Sequence, residues 1–273
     1  MDLSNENVIH VVDGKIEYLQ FRRLLEYPHL VHAFALKPLD FRVRGGVDST
    51  QIPESYETFL NALGLTMNSL VRPNQMHTNH VIAIHEKERK DGPDIFLDYL
   101  KNVDGTMTSQ KGITLASTNA DCIVLLLYDP VKQVIASIHS GWRGTFQKIA
   151  AVTVQKMRAE YGCEAKDIVA CICPSIRKCH FEVDEDVKLE CEKIFEYTGK
   201  LNEIIAKGEL KEGKQKYLID TIFITKILLE EEGWVAENII DSGICSVCAS
   251  EKVHSRRADG EKYGLGAGII SLK

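Results

Sequence analysis

Two strand-like runs, Ile123 to Tyr128 and Val134 to Ile138, are separated only by Asp129-Pro130-Val131-Lys132-Gln133, and the first is apolar at every position. A strand exposes alternate side chains on opposite faces, so a run that is apolar on both parities must be covered on both sides. The short connection makes the two runs antiparallel neighbours. Strictly alternating βαβ units do not place consecutive strands five residues apart, so the feature predicts a mixed α/β fold with hairpins.

The rest of the chain fits that reading. Ile9 to Val12 and Ile16 to Phe21 flank Asp13-Gly14, a pair that favours a tight hairpin. Further strands are expected at Leu30 to Leu36, Val81 to Ile84, Ile113 to Ala116, Ile168 to Ile172, Ile239 to Ile244 and Leu265 to Leu272. Ser55 is placed to cap a helix with apolar face Tyr56, Phe59, Leu60 and Leu63, stopped by Gly64. Phe146, Ile149, Ala150, Thr153, Met157 and Tyr161 recur at helical spacing. So do Val183, Val187, Cys191, Ile194 and Phe195, and Asp220 to Glu232 is also read as a helix.

No linker, repeat or low-complexity tract divides the 273 residues, so one domain spanning 1–273 is expected. Thirty-three Lys and Arg against thirty-nine Asp and Glu give a net charge of −6, which offers no excess positive potential for nucleic acid. No apolar run approaches the roughly 20 residues of a membrane span, and the first residues lack a basic and apolar leader pattern. The expectation is a soluble, cytoplasmic protein with no nucleic-acid or membrane partner. Its eight cysteines read as reduced thiols, most of them inert core residues.

The hairpin brings chemistry together at its open end. With the turn centred near Val131, Cys122 is expected opposite His139 or Ser140, where Cβ atoms lie about 4.5 to 5.5 Å apart. That distance suits a shared metal or a thiol–imidazole pair. His77, in a polar loop before the Val81 strand, is the best imidazole to complete a Cys-His-His set, and three ligands with one open position is the catalytic arrangement of zinc. The competing readings are a Cys-His nucleophile pair and ordinary buried residues. Just beyond, Ser140-Gly141-Trp142-Arg143-Gly144-Thr145 combines glycines, an expected helix start with free N–H groups and a guanidinium, features that favour an anion.

Gln75-Met76-His77, Ala120-Asp121-Cys122 and His139-Ser140-Gly141-Trp142-Arg143-Gly144-Thr145 resemble the laccase-domain family of YfiH-like and YlmD-like proteins. These were formerly grouped as multicopper polyphenol oxidases and are now regarded as purine nucleoside phosphorylases. Weaker echoes are Arg44-Gly45-Gly46-Val47, Asp104 with Thr108, Pro174-Ser175-Ile176, Phe181-Glu182-Val183 and Arg256-Arg257. The resemblance implies an α/β mixed-sheet sandwich with flanking helices, and zinc, with copper as the other candidate, held by His77, Cys122 and His139. It also implies phosphorolysis of adenosine, inosine and methylthioadenosine, with adenosine deamination beside it, so the expected partners are a purine nucleoside and phosphate. On this reading Cys122, His139 and Asp121 form the catalytic group, Asp121 as proton carrier or as orienter of a ligand. Gln75, Arg143, Arg256 and Arg257 are the candidate substrate contacts.

The chain departs from the family pattern in four places. Thr78 follows the first metal His where Gly is usual. Val253-His254-Ser255 replaces an aromatic-Ser-aromatic lead into the arginines, Cys173-Pro174-Ser175-Ile176-Arg177 replaces a Gly-Pro-Ser-Ile-Gly pattern, and the segment after Gly46 is short.

Two other functions compete. One is a metal-free Cys-His hydrolase, a deamidase or an amide hydrolase of cell-wall precursors, with Cys122 as nucleophile and His139 as base. The other is a copper polyphenol oxidase, but a multicopper enzyme needs about ten histidines in paired motifs and this chain has nine, none so spaced. Elsewhere, Cys245-x-x-Cys248 is half a zinc ribbon, a redox pair or structural thiols, and the last is favoured because no second CxxC completes it and Cys171, Cys173 and Cys179 have the wrong spacing. His80, His85 and His180 read as surface or satisfied core residues, Trp142 as a core aromatic closing the hairpin mouth or as a stacking surface for a base.

Overall fold

The structure is a computed structural model describing residues 1–43, 52–86, 89, 92–95 and 97–273. The Arg44-Gly45-Gly46-Val47 motif and the short segment after it lie outside the described residues up to position 51. The chain runs β1 (Val8–Asp13), β2 (Ile16–Phe21), β3 (Leu30–Ala35), α1 (Glu54–Ala62), β4 (Leu70–Arg72), β5 (Val81–Ala83), β6 (Asp94–Ile95), β7 (Gly105–Thr108) and β8 (Thr114–Asn119). Then come β9 (Ile123–Asp129), β10 (Val134–Ser140), α2 (Trp142–Phe146), α3 (Ile149–Tyr161), β11 (Val169–Ile172), β12 (Glu182–Val183), α4 (Glu185–Phe195) and α5 (Leu201–Ile204). It closes with β13 (Ile205–Lys211), β14 (Lys214–Ile219), α6 (Thr221–Glu231), β15 (Ile239–Asp241), α7 (Arg256–Asp259) and β16 (Gly266–Leu272).

Among the described residues the strands form two large sheets, ordered β1-β2-β3-β16-β8-β4-β6 and β15-β11-β9-β10-β7-β5, and a small one, β12-β14-β13. Both large sheets are mixed: β4 is parallel to β6 and β8, and β5 to β7, while the central pairs are antiparallel. The apolar run of β9 explains the layering. Val124, Leu126 and Tyr128 face a core shared with Phe34, Leu115 and Ile270 of the first sheet. Ile123, Leu125 and Leu127 face the opposite way, onto Ile149, Val154 and Met157 of α3 and Ile222 and Leu229 of α6. On the far side of the first sheet, Tyr56, Phe59 and Leu60 of α1 pack on Tyr18, Ala33 and Ile269. The result is a mixed-sheet sandwich with flanking helices, and no helix among the described residues is long and apolar enough to cross a membrane.

Several local expectations are corrected. Asp13 pairs with Ile16, so the first hairpin turns on Gly14-Lys15, with Gly14 at φ 60°. α1 starts at Glu54 after Pro53, and the Ser55 hydroxyl instead accepts the Asp40 N–H. The helix expected around Phe146 to Tyr161 is broken at Lys148, φ 60°, leaving α2 only five residues long. Val183 belongs to β12 rather than to α4. The β13–β14 hairpin, too polar to read as strands, turns at Glu212-Gly213, both at positive φ.

Candidate metal centre and cavity

β10 ends the second sheet's central hairpin and carries His139 as its penultimate residue. Its neighbour on the other side, β7, places Gly105 opposite Ile138, so the residue before β7, Asp104, arrives beside His139. His139 donates from its backbone N–H to the Asp104 carbonyl at 2.7 Å, and its Nδ1 lies 2.7 Å from Asp104 Oδ1. A carboxylate accepts, so Nδ1 carries the proton and Nε2 faces the site. The same fully buried carboxylate accepts the backbone N–H groups of Met76, His77 and Thr78 and the Thr78 hydroxyl, at 2.8 to 3.1 Å. Thr78, where the family usually has Gly, thus adds a donor that glycine lacks. The loop so gripped holds His77 at φ 62°, a left-handed conformation costly for a residue with a Cβ.

Cys122 precedes β9. Because His139 lies opposite Val124 and Ser140 opposite Ile123, Cys122 falls level with Gly141, one to two residues from the expected register. The connecting loop is four residues, Pro130 to Gln133, rather than five. The thiol still reaches the imidazoles, since Asp121 turns the chain at φ 87° and Asn119 Nδ2 donates to the Cys122 carbonyl. Cys122 Sγ lies 3.8 Å from His77 Nε2, and one ligand atom from each of His77, Cys122 and His139 lies within 4.8 Å of the others. The two imidazole rings stand 4.9 Å apart at 82°. Gly141 makes the approach possible: a Cβ there would sit 2.4 Å from His77 Cδ2 and 3.3 Å from Cys122 Sγ. These residues can hold a metal ion.

Burial alone would push the Cys122 thiol up and His139 down. The His139 charge and hydrogen bonds from both imidazoles instead hold the thiol at about 6. The Cys122 thiolate and Asp104 push His139 up to about 9. Asp104 itself is held below the usual carboxylate range, His139 and the Thr78 donors outweighing its burial. These shifts favour a thiolate at Cys122 beside His139 and an ionised Asp104 behind it. The cluster is ready to give a thiolate to a metal or, without one, to a substrate.

His77 and Cys122 open on a cavity of about 510 Å³, lined also by Asp121, Trp142, Arg143, Ile176, Phe181, Arg256 and Arg257, among others. The Arg143 guanidinium stacks on Trp142, 4.2 Å from its ring centre, and Arg256 lies 5.7 Å from that of Tyr263. Trp142 packs edge-on against Phe146 and also lines the cavity. Arg257 is held from behind, its guanidinium donating to the His180 and Glu182 carbonyls and its N–H to Asp121 Oδ2. Asp121 Oδ1 accepts the hydroxyls of Ser246 and Ser255, both at 2.6 Å. Its carboxylate thus ties the C-terminal segment to the site, and the acid that orients a donor imidazole is Asp104. Gln75 is not among the lining residues; its amide exchanges hydrogen bonds with the Thr118 N–H, carbonyl and hydroxyl.

Asp104 was not singled out by spacing, since it reaches His139 only through strand pairing. His80 and His85 lie elsewhere, near the Asn102 carbonyl and Glu160. His180, however, meets Cys179, Cys245 and Cys248 in a second cluster of donor atoms within 4.8 Å. No second CxxC stands beside Cys245-x-x-Cys248, but Cys179-His180 does.

Fold and site define a mixed-sheet α/β sandwich with a Cys-His-His group, able to hold a metal, at the mouth of a buried hairpin. The chain belongs to the family described as multi-copper polyphenol oxidoreductase laccase, whose model matches residues 34–273. It is 31% identical over 233 residues to human "Purine nucleoside phosphorylase LACC1", covering 81% of this chain and 48% of that protein, so it spans about half the length of this relative. It is 28% identical to Bacillus subtilis "Purine nucleoside phosphorylase YlmD", covering 81% and 77%, and 31% identical to "Adenosine deaminase RL5" of an unknown prokaryotic organism, covering 80% and 81%. The solved structure of Bacillus licheniformis hypothetical protein YfiH superposes with a TM-score of 0.82 at 23% identity, covering 97% and 99%, which shows the fold.

Proposed function

We propose that the chain is a zinc-dependent purine nucleoside phosphorylase, cleaving adenosine, inosine and methylthioadenosine with phosphate and deaminating adenosine as a side activity. The observation that carries the reading is that His77 and Cys122, grouped with His139 as possible metal donors, line one cavity together with three arginines, Arg143, Arg256 and Arg257. One thiolate and two imidazoles, one imidazole oriented by a buried carboxylate, are donors that suit zinc in an open site. His77, Cys122 and His139 would hold the ion, which would supply Lewis-acid chemistry to the bound nucleoside. The phosphorylase and deaminase names of the relatives support the substrate class.

In phosphorolysis a phosphate oxygen attacks the anomeric carbon while the bond to the purine breaks and the base leaves with the electron pair. The chain's own residues divide that work. Arg143 and Arg256 bring positive charge to the phosphate, and Trp142, Ile176 and Phe181 give the base an apolar wall. Asp121 positions Arg257 and the C-terminal turn rather than carrying a proton. A reducing, cytoplasmic setting suits the eight cysteines and belongs to the same proposal. Incubation of the purified protein with adenosine and phosphate tests it: ribose 1-phosphate is expected, and free ribose in its place overturns it. The polarised Cys122–His139 pair favours a second reading, a metal-free thiol hydrolase acting on amides.

A further inference from the structure

Behind the cavity wall, two chain segments far apart in sequence are laid side by side. Ser175 bridges Cys245 as an isolated parallel pair, with the Ser246 N–H on the Ser175 carbonyl at 3.0 Å. The pairing brings Cys179 and His180 against Cys245 and Cys248. His180 Nδ1 lies 3.2 Å from Cys179 Sγ, 3.6 Å from Cys245 Sγ and 3.5 Å from Cys248 Sγ, and Cys179 Sγ lies 3.6 Å from Cys245 Sγ. A tetrahedral zinc ion with bonds of about 2.3 Å to sulfur and about 2.05 Å to nitrogen spaces its ligands about 3.8 Å (S···S) and about 3.5 Å (N···S) apart. The four recorded separations fall within a few tenths of an ångström of those edges. At 3.6 Å the Cys179 and Cys245 sulfurs are too far apart to be bonded to each other.

We propose that Cys179, His180, Cys245 and Cys248 bind one structural zinc ion, distinct from the His77-Cys122-His139 centre. Four protein donors close the tetrahedron and leave no position for substrate, which separates this site in kind from the three-donor centre. Three thiolates and one imidazole form a donor set that structural zinc sites use, here with the CxxC half supplied by Cys245 and Cys248 and the other half by adjacent residues.

The ion's place in the molecule gives it a purpose. His180 offers its carbonyl to Arg257, whose N–H bonds Asp121, and Ser246, next to Cys245, donates its hydroxyl to the same carboxylate. Ile176 and Phe181, on the segment that carries Cys179 and His180, line the cavity. Clamping the two segments therefore fixes one wall of the cavity from outside, whichever reaction the cavity performs.

The test uses the full chain, made without a histidine tag and purified without added metal. Elemental analysis is expected to give two zinc ions per chain in the wild type and one in Cys122→Ala, with the retained ion resisting weak chelators. The double variant Cys245→Ser/Cys248→Ser should keep one. If that variant does not fold, thiol alkylation of the folded wild type decides: Cys179, Cys245 and Cys248 should react at least tenfold faster once a strong chelator has stripped the metal, without denaturant, than before. Cobalt substituted into Cys122→Ala should show charge-transfer absorption from three thiolates. A single zinc in the wild type that disappears in Cys122→Ala, equal alkylation rates with and without chelator, or a disulfide among these cysteines overturns the proposal.

Discussion

Asp104 Oδ1 lies 2.7 Å from His139 Nδ1, and the two oxygens of that one buried carboxylate also accept the three successive N–H groups that shape the His77 loop. One acid thus sets the position of both imidazole donors, from residues 27 and 35 positions away in sequence.

Asp104→Asn keeps the shape but puts an NH₂ group where an acceptor was needed, so it disturbs both imidazoles at once. Outer partners of this kind are worth roughly 10- to 100-fold in metal affinity. Competition against a chelator of known strength should show zinc bound at least tenfold more weakly at the Cys122 centre. The Cys179-His180-Cys245-Cys248 cluster, which does not contact Asp104, should be unaffected. Unchanged affinity at the Cys122 centre would remove Asp104 from its positioning role.

The state of Cys122 separates the two functional readings. A coordinated thiolate is shielded, whereas a free thiolate held at about 6 by His139 and His77 is reactive at neutral pH. Alkylation of Cys122 should be slow in zinc-loaded protein and fast once the metal is stripped. Fast alkylation in both states, accompanied by loss of amide hydrolysis, would favour the thiol hydrolase.

The sandwich and the hairpin were legible because β9 is apolar on both parities, a pattern only a doubly covered strand satisfies. The Cys122–His139 encounter was legible from the same hairpin, yet its register was off by one to two residues. Gln133 at φ 53° closes a four-residue loop, and nothing in its side chain announces that. Asp104 stood in the sequence only as a weak family echo beside Thr108, and its role was hidden for a different reason. Its role arises from the pairing of β7 with β10, a long-range relation that leaves no spacing to read. The Cys179-His180 grouping was hidden because adjacent donor residues match no familiar interval, and His180 meets Cys245 and Cys248 through the segments that the Ser175–Cys245 bridge lays side by side. The β13–β14 hairpin alternates weakly and carries Lys207, Glu209, Lys211, Lys214 and Lys216, so polarity masked its strands.

His32 predicts how stability responds to acid. It is fully buried on β3, its Nε2 accepting the Phe21 N–H at 2.8 Å, and burial holds its pKa down at about 4. An unfolded chain returns it to about 6.5. Between those values the unfolded state binds a proton that the folded state refuses. The stabilisation is therefore complete above about pH 6.5 and is lost as pH falls toward 4, a change on the order of 3 kcal/mol. Chemical denaturation of wild type and His32→Gln between pH 7.5 and pH 4.5 should show a slope difference of this sign. Parallel curves would show that His32 is not held neutral.

Arg143 is the arginine whose role most directly distinguishes phosphate chemistry from water chemistry. The helix expected to help it is only five residues long, so under the proposed function a phosphate would be held by side-chain charge rather than by an extended helix dipole. Stacking on Trp142 at 4.2 Å restrains the guanidinium while leaving its planar donors able to meet two phosphate oxygens. A lost bidentate, charge-assisted contact of roughly 2 to 4 kcal/mol corresponds to about 30- to 1000-fold in rate. Arg143→Ala should lower phosphorolysis by that factor and raise the phosphate concentration needed for half-maximal rate. Deamination consumes water rather than phosphate and should fall much less. Measuring base release and deamination side by side across a phosphate titration, in wild type and variant, reads both effects. Equal losses in the two activities, or wild-type base release that is indifferent to phosphate, would take Arg143 out of the phosphate site.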